Sequence, residues 1–333
     1  MIESHHVAII GAGPIGLELA VALKHAGIDY VQIDAGQIGS TIEWYPPQML
    51  FHSSSDRLAL AGMPIQTANQ QKITREEFLA YLRGLVQNFG LQIRTYERVE
   101  KIDKLTSGRF ELHTSEQRYR CEILILAIGA MHAPRLCGVS GEELPHVSHY
   151  LGDPHKYFAK RLVIVGGRNS AVEAAVRCYC AGADVTISYR GDDFDPKVVK
   201  FWLLPEVRAL IRDNKVRFMP RTSLVEIRNG AVLLSPEKEI AADFVLLMTG
   251  YRQDTTLFKM LGVELAGTAS EPVHDPDTME TNVPGVFIAG TAVAGTPPRK
   301  VSVIVETCHV HVPRIVAAIS GRRVALPEGR LDD

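Results

Sequence analysis

Six residues near the start of the chain, Gly11-Ala12-Gly13-Pro14-Ile15-Gly16, have the types and spacing to hold a pyrophosphate. The first glycine permits a tight turn, the second lets backbone approach phosphate oxygens, and the third permits close packing of a helix on a strand. A helix starting at Pro14 aims its free N–H groups and the positive end of its dipole at the anion. Proline suits that first turn because its missing N–H would have lacked an intrahelical partner. Asp34, at the end of the next apolar run, can accept hydrogen bonds from a ribose diol. The same design returns 155 positions later as Gly166-Gly167-Arg168-Asn169-Ser170. At that offset Gly11 matches Gly166, Glu18 matches Glu173, Gly27 matches Gly182 and Asp29 matches Asp184. The copies end in opposite chemistry, because Asp34 falls on Tyr189 and Arg190 follows it. An arginine there can pair with a 2′-phosphate, with no carboxylate left to repel it. Arg168 stands in place of the middle glycine, which either blocks close backbone approach or substitutes a guanidinium contact for it. One diol-type and one phosphate-type site imply FAD and NADPH, and a chain that passes electrons between them.

A lone GxGxxG is a weak signal, so the elements around it matter. The first copy has an apolar strand at Val7–Ile10, a helix from Pro14 to His25, Gly27 as helix stop and a strand at Tyr30–Asp34. The stretch from Gly36 to Ala68 lacks clear periodicity and reads as a functional covering loop. Phe78, Leu82 and Leu85 fall in helical register within Ile73–Phe89. Short strands follow, ending in the apolar run Ile123–Ile128 before Gly129. The second copy opens with a strand at Leu162–Val165 and continues with a helix over Ser170–Ala181 and a strand at Val185–Tyr189. A helix at Leu203–Arg212 and strands up to Phe244–Met248 come next. A closing helix is expected from about Val301 to Ser320. The pattern predicts an α/β fold of two Rossmann-like, three-layer dinucleotide-binding domains, the NADPH domain inserted in the FAD domain. The expected boundaries are 1–130 with 252–333 for FAD, and 131–251 for NADPH.

With 333 residues the chain has room for two cores. A net charge of −2 offers no electrostatic case for nucleic acid or an anionic membrane as partner. No segment approaches the ~20 apolar residues of a membrane span. Val7–Ile10 runs straight into the glycine turn and so reads as a strand, not part of a signal peptide. A cytoplasmic location is expected. The five cysteines (121, 137, 178, 180 and 308) have neither metal-site nor disulfide-framework spacing, so no metal is expected. Cys178 and Cys180, two apart on a helix, point to different sides and are expected to be buried small apolar residues.

The segments LAIGA (126–130), MTGY (248–251) and GVFIAGT (285–291) make the chain resemble thioredoxin-reductase-like flavoproteins. In such proteins the last segment lies along the flavin ribityl chain, which implies FAD contacts at Gly129, Gly290 and Thr291. Thr291 replaces the usual aspartate. A CxxC precedes the second phosphate strand in thioredoxin reductases, whereas His149-Tyr150-Leu151-Gly152 stands here. WYPPQMLFHSSSDRLALAGMP, LPHVSHYLGDPHKYF, VIVGGRNSAVEAA, YRGDDFDPKVVKFWLLP and METNVPGVFIAG make the nearly end-to-end resemblance narrower, to the bacillithiol disulfide reductase family. That family uses FAD and NADPH on a small thiol disulfide, lacks the CxxC, and carries a basic residue at the position of Arg168. A homodimer is expected from the family alone. Its better-known members have a cysteine after the proline of the first glycine motif, where this chain has Ile15.

Three acceptors stay open. A low-molecular-weight disulfide is the first, and Cys308 is the only cysteine placed to take part. Ferredoxin or flavodoxin is the second, with Lys197, Lys200, Arg299 and Lys300 as candidate docking cations. Oxygen, as in a flavin monooxygenase, is the third, on a faint likeness in SSSDRLALAGMP and around His149.

Overall fold

The computed structural model describes residues 2–68, 70–296 and 303–321. Arg299, Lys300 and the expected helix start at Val301 lie outside them. The chain divides into two compact units, one from 2–43, 48–133 and 252 onward, the other from Trp44–Pro47 and Pro134–Tyr251. Residues 44–47, counted with the first stretch from sequence, group with the second unit because the Trp44 ring meets Tyr150 at 5.1 Å and Tyr251 at 5.2 Å.

In the first unit, strand Ile2–Ile10 lies between Tyr30–Ile33 and Arg118–Leu126, parallel to both. Its last four residues are buried, as expected of a strand covered on two faces. It begins five residues earlier than its apolar run because the polar start pairs with Arg118–Cys121, and His5 bonds Glu3 and Asp29. Strand Arg118–Leu126 has two characters along its other edge. Its alternating first half pairs antiparallel with Phe110–Thr114, and its apolar last residues pair parallel with Val286–Ile288. Helix Arg75–Phe89 opens with a reciprocal capping box between Thr74 and Glu77.

The segment 36–68 is more built than a covering loop. It holds short helices at Ser40–Glu43 and Ser55–Leu58, and it buries Ile42, Leu58, Leu60 and Ile65. The expected closing helix is two helices, Val305–Cys308 and His311–Ser320. Pro313 is the reason: in one continuous helix its ring would collide with the carbonyl of His309 and leave that carbonyl unbonded.

The second unit carries a five-stranded parallel sheet in the order Arg217–Pro220, Asp184–Tyr189, Arg161–Val165, Phe244–Leu247, Val147–Ser148. Helix Asn169–Cys180 packs an apolar stripe of alanines, Val172, Val176 and Cys178 into its core. Cys180 is exposed, which corrects the expectation that both cysteines are buried. An antiparallel sheet of Ser223–Arg228, Ala231–Ser235 and Lys238–Ala241 completes the unit.

Candidate functional site

The duplication is geometric as well as sequential. Each copy's first glycine donates its N–H to the end of the strand beyond the helix, Gly11 to Ile33 at 2.8 Å and Gly166 to Ser188 at 3.0 Å. Each also has a φ that side chains avoid, +115° and +148°. A Cβ there would lie 2.3 Å from the carbonyl oxygen of Ala127, or 2.5 Å from that of Met248. Both carbonyls belong to the residue just past the neighbouring parallel strand, so only glycine lets the turn close. Helices Pro14–His25 and Asn169–Cys180 then start without a side-chain cap, leaving their first N–H groups to an anion. Beside Gly13 there is open space, whereas a Cβ on Gly16 would sit 2.3 Å from the Gly11 oxygen. Arg168, Ser170 and Arg190 are exposed, and neither arginine has an ion pair among the described residues.

The two turns are braced differently. Asp34 accepts from the N–H of Ala12 at 2.6 Å through Oδ2 and from that of Gly36 at 2.7 Å through Oδ1. Burial holds its carboxyl above the usual aspartate range despite those bonds. Each oxygen keeps a lone pair for a ribose hydroxyl. At the matching position the Tyr189 ring fills the space a Cβ on Gly167 or Gly191 would need, at 2.4 and 2.7 Å. Gly167 and Gly191 are the counterparts of Ala12 and Gly36 at the same offset. Polar bracing in one copy is replaced by a ring packed on two glycines in the other. Asn169 is occupied too: its Nδ2 donates to the Val198 oxygen at 3.1 Å, and its Oδ1 accepts from the Lys200 N–H at 2.8 Å.

Around the first turn the other expected FAD residues converge. Ile15 is buried, and its Cβ lies 3.3 Å from where one on Gly290 would be, so hydrocarbon fills the place of the family's cysteine. Thr291 Oγ1 accepts from the N–H of Ala130 at 3.2 Å, joining the segment after Gly129 to that after Gly290. Sequence reasoning missed Gln253, which lies in no motif. Buried, it donates from Nε2 to the oxygens of Gly129 (3.0 Å) and Ala292 (2.8 Å), while its Oε1 has no hydrogen-bond partner among the described residues. A cradle that side chains would fill, uncapped helix starts and this spare acceptor all fit a dinucleotide.

Two histidines two residues apart, His309 and His311, were also missed. His311 Nδ1 accepts from the N–H of Gly290 at 3.1 Å, so that nitrogen is bare. Burial, then His274, Arg314 and His309, push its pKa down to about 4. His309 Nε2 lies 3.0 Å from the oxygen of Arg57, a pure acceptor, and therefore carries hydrogen. Its Nδ1 lies 2.7 Å from Glu18 Oε2. The His311 linkage has a defined sign. Unfolded histidine takes up its proton below about 6.5, while the folded ring stays neutral until about 4. Stability is therefore complete above that upper value and falls by about 3 kcal/mol across the window. In urea titrations between pH 7 and 4, His311→Asn keeps an acceptor and should lack this part of the acid loss; an unchanged slope would refute the assignment.

Sulfur is poorly placed for chemistry. Cys308, Cys121 and Cys178 are buried, and burial pushes each thiol up to about 12. Such thiols are not nucleophilic at neutral pH. Cys137 is raised in the same direction by burial. Among the described residues no cluster of His, Cys, Asp or Glu could hold a metal ion, and no helix is long and apolar enough to cross a membrane.

A family profile described as pyridine nucleotide-disulphide oxidoreductase matches residues 8–290. The chain belongs to that family. It is an oxidoreductase with FAD and NADPH as its cofactors. The bacilliredoxin reductase Bdr of Bacillus subtilis (strain 168) is 37% identical over 318 residues, 94% of this chain and 97% of the relative. The bacillithiol disulfide reductase Bdr of Bacillus cereus superposes with a TM-score of 0.91 at 33% identity, covering 96% of this chain and 99% of that one. A ferredoxin–NADP reductase of Ignicoccus hospitalis is 28% identical over 293 residues, 85% of this chain and 88% of its own. The family resemblance read from the sequence is borne out.

Proposed function

We propose that the enzyme uses NADPH to reduce a low-molecular-weight thiol disulfide such as bacillithiol disulfide: NADPH + H⁺ + RSSR → NADP⁺ + 2 RSH. The end-to-end similarity to the Bdr proteins carries this reading of the acceptor. The first unit holds FAD: Gly11, Gly13 and Gly16 admit its pyrophosphate, Asp34 takes the ribose, and Gly129, Gly290 and Thr291 line the ribityl side. The second holds NADPH with the turn at Gly166 and the cations Arg168 and Arg190. Bound FAD supplies the chemistry of accepting hydride and releasing two electrons. The chain's residues bind, orient and exclude water. Ile15 and the high pKa of Cys308 leave neither position as a thiolate relay. By family resemblance the enzyme acts as a cytoplasmic homodimer.

The test is acceptor preference. Protein reduced anaerobically with NADPH is mixed with bacillithiol disulfide, a ferredoxin, or oxygen, and the return of flavin absorbance is followed. Reoxidation should be fastest by at least about tenfold with the disulfide, a difference of about 1.4 kcal/mol in barrier. Faster reoxidation by ferredoxin would place the enzyme with the ferredoxin–NADP reductases instead.

A further inference from the structure

The loop after Arg190 contains three carboxylates, and four cations lie in or beside the phosphate cradle, yet the two sets form no ion pair with each other among the described residues. Asp192 bonds Arg221 at 3.2 Å, Asp193 bonds Arg208 at 2.6 Å, and Asp195 caps the N–H of Lys197 at 2.9 Å. Arg168, Arg190, Lys197 and Lys200 are all exposed and lack a carboxylate partner among the described residues.

Their placement is fixed rather than incidental. Phe194 is buried and stacked on Tyr189 at 6.1 Å, Val199 is buried in the core, and the Asn169 amide clasps both sides of residue 199. Asn169 is the first residue of the uncapped helix, directly after Arg168. Arg190 follows Tyr189, whose ring rests on Gly167 of the same turn. Arg190 and the Lys200 backbone are therefore both tied to this turn, one next to the Tyr189 ring and the other through the Asn169 amide. The Lys200 ammonium lies 5.8 Å from the centre of the Trp202 ring, a weak cation–π contact that a phosphate can outcompete.

We infer that Lys200 is a specificity-determining residue for the 2′-phosphate of NADPH, and that Asn169 is a positioning residue that holds it at the cradle. The inference rests on the NADPH reading of this unit. It takes Lys200 away from a ferredoxin docking face and Asn169 away from direct nucleotide contact.

Binding of 2′,5′-ADP and 5′-AMP to the FAD-loaded protein, measured by calorimetry, tests it. Lys200→Met should weaken 2′,5′-ADP about tenfold and change 5′-AMP by less than about twofold, as expected for loss of one exposed charge-assisted contact to phosphate. Lys200→Arg should restore most of the loss. Asn169→Ala should act in the same direction, and adding it to Lys200→Met should cost little more, because the two share one effect. Equal weakening of both probes, or none, would overturn the inference while leaving the NADPH reading intact. Wild-type protein with no preference for 2′,5′-ADP would overturn both.

Discussion

Gly11→Ala is expected to destabilise the first unit by about 4 kcal/mol and to yield protein without flavin colour. Two costs combine: backbone at φ +115° that alanine avoids, about 1–3 kcal/mol, and a methyl driven into the Ala127 carbonyl, about 1–3 kcal/mol more. The carbonyl cannot retreat cheaply, because Ala127 N–H is bonded to the Ile10 oxygen at 2.8 Å. Gly27→Ala is the control. It also has positive φ, +69°, but open space beside it, so it should cost only about 1 kcal/mol and keep its flavin. Denaturant unfolding and the flavin-to-protein absorbance ratio read both effects. A Gly11→Ala protein with full flavin content would show that the turn can close some other way.

The second large effect lies at the repeat's shared glutamate. His309→Ala is expected to cost about 3 kcal/mol, because it empties a buried site and removes the ring that bonds both Glu18 Oε2 and the Arg57 oxygen. Glu18 and His309 are each under 5% exposed at the side chain, and Glu18 Oε1 also accepts from the Ala61 N–H at 3.1 Å. The pair thus ties the first cradle's helix to the 55–61 segment and to the closing helices. Glu173, at the same repeat position, pairs with an i,i+4 arginine, Arg177, at 3.6 Å, its one ion pair among the described residues, and burial already raises its pKa. Glu173→Ala should cost about 1 kcal/mol or less. Thermal or urea unfolding of the two variants decides it, and similar losses would contradict the contrast.

Much of this was legible because the local signals agree with the fold. Helices Pro14–His25 and Leu203–Arg212 have the limits read from periodicity and breakers. Misreadings had local causes as well. Pro313 was passed over, and the broken closing helix follows from it. Cys180 is exposed for the same reason it cannot pair with Cys178: two steps along a helix turn the side chain away. What stayed illegible depends on long-range partners. Nothing in the sequence around Gln253, His309 or His311 marks them, since their bonds reach Gly129, Glu18 and Gly290. Asn169 was legible as a cradle residue but not as a clasp, because its partners lie 29 and 31 residues on.

The different bracing of the two turns gives the halves of this duplicated device separate sensitivities. The first turn is held by the Asp34 carboxylate, which takes up a proton at higher pH than an ordinary aspartate. Once neutral, it loses the charge that draws in the N–H groups of Ala12 and Gly36. The second is held by the Tyr189 ring packed on Gly167 and Gly191, a contact that acid leaves alone. Acidification is therefore expected to loosen the first turn before the second, whose ring packing takes up no proton.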